Sequence, residues 1–133
     1  MRPATHLAID RRLCGELEEL GPGRAVVTME TVVEMRADAF GLVHGGFIFG
    51  LADHAAMLAI NEPTVVLAGA EVKFLRPVAV GEEVTAEATV AGREGQKARV
   101  EVEVRRAQEL VFTGSFSCFI PAEHVLASRS AAG

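Results

Sequence analysis

The sequence predicts an α+β fold in which one antiparallel sheet curls around a single central helix. Three observations lead there. The stretch from Phe47 to Ile60 is apolar or small on every side except at Asp53 and His54, and a helix that is apolar all round is a buried one. Beyond Pro63 the periodicity changes from 3.6 to 2, the signature of strands. Short turns join those strands, which favours antiparallel neighbours, and a sheet so built must bury its apolar face against something. The helix is the one candidate.

Taken in order, residues 1–12 predict a short helical turn or an arm, too few to hold a DNA-reading helix-turn-helix. From Cys14 to Met35 the sequence reads as two strands joined at Gly21-Pro22-Gly23, the second running from Arg24 to Met35. Arg36 to Val43 is a loop in which Gly41 is free to take a positive φ. The buried helix ends near Asn61-Glu62-Pro63, because proline forbids continuation. Thr64 to Arg76 reads as a strand stopped by Pro77, and Glu82 to Ala91 as another, before a turn at Gly92-Arg93-Glu94-Gly95. In Ala98 to Arg106, Val100, Val102 and Val104 alternate with Arg99, Glu101, Glu103 and Arg105, a strand with one wet face. Leu110 to Ile120 carries Phe112, Phe116 and Phe119, and Pro121 ends it.

A chain of 133 residues fits one domain, 1–133, with residues 1–12 and 122–133 peripheral. The net charge of −5 argues against a nucleic-acid surface. Cys14 and Cys118 read as reduced thiols, and no set of His, Cys or acidic residues has metal-ligand spacing, so no metal site is expected. The N-terminal residues lack a signal-like apolar run, which predicts a cytoplasmic protein. The helix is too short to span a bilayer, and no membrane partner is expected.

Chemistry concentrates on the helix. Asp53 has Phe49, Gly50, Ala56 and Met57 at i±3 and i±4, so no cation on its own helix offsets its charge. An ionised carboxylate in such a place is hydrogen-bonded, at an interface, or there for chemistry. At the helix entrance, His44-Gly45-Gly46 leaves backbone N–H groups without intrahelical acceptors, a site for a carbonyl oxygen or an anion. Asp53 lies seven residues beyond Gly46, about 10 Å along the axis. A single carbonyl group cannot touch both on one helix, so joint action requires the Asp of a second copy.

The pattern Asp38-x-x-Gly41-x-x-His44-Gly45-Gly46, followed by Leu51-Ala52-Asp53 and then Val72-x-Phe74-Leu75-x-Pro77, resembles the hotdog-fold acyl-CoA thioesterases of the phenylacetate-pathway (HGG) type. The resemblance covers roughly Gly23 to Phe119. It implies a hotdog fold, a sheet of five to six strands around the helix, and a homodimer or dimer of dimers. It implies an acyl-CoA substrate and no cofactor beyond the coenzyme A that the substrate carries. Asp53 would be the general base or the nucleophile, His44 would orient the loop and the thioester, and the Gly46 N–H would meet the developing oxyanion. Asp38 stands where the family often carries an Asn that places the water or the carbonyl. Ionised, it accepts hydrogen bonds but cannot donate them, and a carboxylate near Asp53 would raise one of the two pKa values. Leu67 stands where some relatives place a hydroxyl, and Thr64 is the nearest hydroxyl to it. Substrate contacts are expected from Gly45, Phe47 and Thr64, with Lys73, Arg76, Arg93 and Lys97 as cations for the phosphates. The alternative reading is a non-catalytic acyl-CoA-binding or sensing hotdog protein.

Overall fold

A computed structural model describes residues 1–127; of the C-terminal segment expected to be peripheral, residues 128–133 lie outside the described residues. The elements run α1 (Arg11–Cys14), β1 (Glu16–Gly21), β2 (Arg24–Glu30), a 3-10 turn (Val33–Met35), α2 (Gly45–Ile60), β3 (Val66–Phe74), β4 (Glu83–Glu94), β5 (Lys97–Arg106) and β6 (Glu109–Phe119). The sheet order is β1-β2-β4-β5-β6-β3, and every neighbouring pair is antiparallel. One long helix on a six-stranded sheet is the arrangement that the alternation and the apolar helix predict.

The alternation in β5 does what it promised. Val100, Val102 and Val104 are at most 1% exposed and face the helix, opposite Val90, Ala88 and Ala86 of β4. Pairing valines with alanines leaves room for α2, whose Ala52, Ala55 and Leu51 are fully buried. On β6, Gly114 sits between the buried rings of Phe112 and Phe116. A Cβ there would lie 2.7 Å from the Phe116 ring and 2.8 Å from Val72, so glycine lets two aromatic side chains share one strand face.

Three features differ most from the sequence reading. The second strand stops at Glu30 instead of reaching Met35, because the Thr31 hydroxyl donates to Ala79 O and Glu82 O, and the chain then tightens into the 3-10 turn. Strand β4 runs through Gly92 and Arg93 to Glu94, absorbing the expected turn as a bulge between Val90 and Gly92. The N-terminal arm is pinned to the body: Asn61, left-handed at φ 54°, C-caps α2, accepts from Ala4 N at 2.7 Å and donates to Arg2 O at 2.9 Å. Among the described residues no helix is long and apolar enough to cross a membrane.

Candidate active site at the glycine-capped helix mouth and the helical aspartate

The mouth of α2 is built from the loop before it. Gly41 takes φ +83°, and the Asp38 carboxylate accepts from Phe40 N at 2.9 Å and Leu42 N at 3.2 Å, closing an Asx-type turn. Val43 N donates to Val78 O and Val80 N to Gly41 O, which ties this loop to the turn after β3. Asp38 is therefore spent on shaping the loop, and an acceptor is all this turn requires.

His44 is the N-cap of α2, its Nδ1 accepting from Gly46 N at 2.9 Å. With Nδ1 accepting, the neutral ring keeps its proton on Nε2. The cap corrects the expectation for Gly46: its N–H is already taken, and Phe47 N donates to His44 O. Among the described residues the first-turn N–H without a partner is that of Gly45. Both glycines have steric reasons. A Cβ at Gly46 would lie 2.8 Å from His44 Nδ1, and one at Gly45 would lie 3.1 Å from the Phe74 ring. The first lets the imidazole fold back over the helix end, and the second lets the aromatic ring close over the mouth.

Asp53 sits midway along the helix, half-buried, and its Oδ1 is buried without a hydrogen-bond partner among the described residues. Burial pushes its pKa up to about 6. Asp38 contributes nothing to that shift, so the expected carboxylate pair is replaced by plain desolvation. The charge of Asp53 reaches the buried Cys118 thiol, whose pKa is pushed up to about 11, first by burial and then by Asp53. His54, next in sequence, is buried with Nδ1 against Cys14 O at 3.1 Å, a core contact.

The remaining predicted residues divide between the two ends of the helix. Phe47 packs edge-on to the His44 ring, with centroids 6.3 Å apart. Arg76 lies near the mouth and pairs with Glu109 at 3.2 Å. Thr64 is at the far end, its hydroxyl donating to Pro121 O at 2.7 Å. Arg93 is also there, paired with Glu62 just beyond the helix C-terminus. Arg93 and Lys97 line a cavity of about 700 Å³ with Arg99, Ser117 and Cys118. Lys73 does not sit beside the mouth as expected. It shares the convex face of the sheet with Glu101 and Thr113, because neighbouring residues on a strand point to opposite faces and Val72 and Phe74 take the helix side. Arg99 and the unpaired Gly45 N–H were missed. Alternation along β5 placed Arg99 on the surface without showing what it lines, and only the capping geometry separates the two glycines. Among the described residues no group of three or more His, Cys, Asp or Glu is placed to hold a metal.

Comparison with known proteins decides the family. The Thioesterase superfamily profile matches residues 40–113, more than half of the chain and spanning the mouth and Asp53. The chain belongs to the Thioesterase superfamily. Among solved structures, this thioesterase-superfamily chain is similar to an uncharacterized Pyrococcus horikoshii protein, with 49% identity, a TM-score of 0.93, and 95% of this chain and 97% of that one covered. It is also similar to the E. coli PaaI protein from the phenylacetic acid degradation operon, with 29% identity, a TM-score of 0.73, and 78% and 81% covered. Its fold is the hotdog. Among curated proteins it is 50% identical over 112 residues to an Aquifex aeolicus protein named methylthioribose-1-phosphate isomerase, covering 84% of this chain and 25% of that one. It is 34% identical over 96 residues to the transcription factor FapR of Shouchella clausii, covering 72% and 50%. The chain thus spans a quarter to a half of the length of these curated relatives.

Proposed function

We propose that this chain hydrolyses an acyl-CoA thioester, of short, medium or aryl type, at a site shared by two copies. The observation that carries the reading is the buried Oδ1 of Asp53, without a partner among the described residues, on a helix whose mouth holds a Gly45 N–H likewise without one. They are eight positions apart, about 12 Å along the helix, too far for one carbonyl group, so the two groups meet on one thioester only when they come from different chains. Among the described residues the outer edge of β3 has no strand beside it, and its Ala68, Gly69 and Ala70 are exposed, an edge suited to a second copy. Two such helices running antiparallel bring the mouth of one beside the middle and far end of the other.

In this arrangement the Gly45 N–H and the helix dipole polarise the thioester carbonyl. Asp53 of the other copy then takes a proton from water as the water adds to the carbonyl carbon, or adds to that carbon itself. Either way the C–S bond breaks, the sulfur leaves as the CoA thiol, and the acyl group ends as a free acid. In the second route water must cleave an acyl-aspartyl anhydride. Arg93, Lys97 and Arg99 around the 700 Å³ cavity suit the phosphates of the coenzyme tail.

The test is thiol release across an acyl-CoA panel. Wild-type protein is expected to release thiol from at least one member, and Asp53→Asn to slow it by about 10² to 10⁴; a folded variant that keeps full activity refutes the reading. A second reading, a module that holds the acyl-CoA without turning it over, is favoured by the similarity to a transcription factor. Thermal stabilisation by acyl-CoA without hydrolysis over hours would select it.

A further inference from the structure

We propose that the groove beside the helix mouth is the subsite for the acyl group, and that Leu42 and Leu75 on its rim set how long that group can be. The proposal rests on the thioester reading of the same helix end. The groove encloses about 300 Å³, and Gly45, whose N–H is unpaired, lies in its lining together with Ile48. A carbonyl seated at Gly45 therefore has one of its two substituents at the groove entrance.

The lining decides which substituent enters. Phe74, Pro77, Val78 and the two leucines make it apolar, and its one charged residue, Arg76, is paired with Glu109. The backbone around it is already committed: Val43 N donates to Val78 O, and Leu75 N and Arg76 N both donate to Val111 O. The pantetheine arm of a CoA ester carries two amides, which would lose their hydrogen bonds to water here and find none in return. A hydrocarbon loses nothing by entering. Three of the exposed large apolar side chains of the described chain gather at this place, with Leu42 39%, Leu75 46% and Phe74 54% exposed, as expected of an apolar binding surface. The volume is at the lower limit of small-molecule sites, about 300 to 1,000 Å³, which suits a medium acyl chain or an aryl ring and is too small for a whole CoA ester.

The chain contains no Trp, so Leu75→Trp places a single indole reporter on the rim. Titrating that variant with S-octyl-CoA, a thioether that cannot be hydrolysed, is expected to shift the emission to the blue, and free CoA is expected not to. Leu42→Trp, which narrows the groove, is expected to lower kcat/KM for octanoyl-CoA at least about tenfold more than for acetyl-CoA. Three results would overturn the subsite: an unshifted indole on saturating S-octyl-CoA, an equal loss for both substrates, or emission already blue in the free protein that reddens on dilution, which would assign the groove to a second copy. If Leu75→Trp shows the blue shift with S-octyl-CoA while the wild type hydrolyses nothing, the subsite stands and only the hydrolase reading falls.

Discussion

Asp53 shows how one residue ties stability to chemistry. Burial without a partner raises its pKa to about 6, so the folded state holds this proton more tightly than the unfolded chain does. Stability is then highest below the unfolded value near 4, falls as pH rises from about 4 to about 6, and stays at the lower level above. With a discount for partial exposure, the ionised carboxylate costs the fold about 2 kcal/mol at neutral pH. Asp53→Asn removes that charge. Its melting temperature at pH 7.5 is expected to exceed the wild type by about 6 °C, with the difference gone near pH 4. A variant no more stable than the wild type at pH 7.5 would show that Asp53 has a partner in solution. The proposed hydrolysis runs the other way: the carboxylate must be ionised to act, so kcat/KM is expected to rise with pH through about 6. A destabilising group retained for chemistry, as proposed for Asp53, is a common trade.

At the scale of elements, α2 is held by its two ends. His44 caps the first and Asn61 the second, and Asn61 also clamps the N-terminal arm through Ala4 N and Arg2 O. Asn61→Ala loses both the side-chain bonds and the tolerance of φ 54°, and is expected to cost about 2 to 3 kcal/mol, against about 1 kcal/mol for Asn61→Gly, which keeps the left-handed conformation. Urea denaturation measures the two costs; equal costs would mean that the conformation contributes nothing. The elements themselves were legible because their signals are local. Twelve apolar or small residues in a run of fourteen, interrupted only by Asp53 and His54, can only be a core helix, and the alternation of Val with Arg and Glu in β5 can only be a half-wet strand. The ends were less legible. Thirty-one looked like a strand residue until its hydroxyl found Ala79 and Glu82, about fifty positions away in the sequence, and a bulge at Gly92 carries none of the residues that would tell it from a turn.

At the scale of the whole molecule, the positions of the candidate residues on α2 were readable but their hydrogen-bonding was not. The HGG pattern and the lone helical acid pointed to α2, and the structure places His44, Gly45, Gly46 and Asp53 at its mouth and middle. Which glycine amide is free depends on where the His44 ring lies, and Lys73 changes faces with the register of β3, facts set by three-dimensional packing. The central claim is that the Gly45 amide of one copy works with Asp53 of another, and mixing two dead chains tests it most directly. Gly45→Pro deletes the amide hydrogen at a first-turn position where proline is tolerated, following a His44 already extended at ψ 131°, with Gly45→Ala as the control that adds the Cβ and keeps the N–H. Alone, Gly45→Pro is expected to lose about 10² to 10³ in kcat, and Asp53→Asn to be comparably inactive. Unfolded together at equal ratio and refolded, half the dimers pair unlike chains, and each such dimer has one site with both groups intact. Recovery of about a quarter of wild-type activity is the predicted result for a two-fold dimer, and a mixture no more active than its parents would contradict the account.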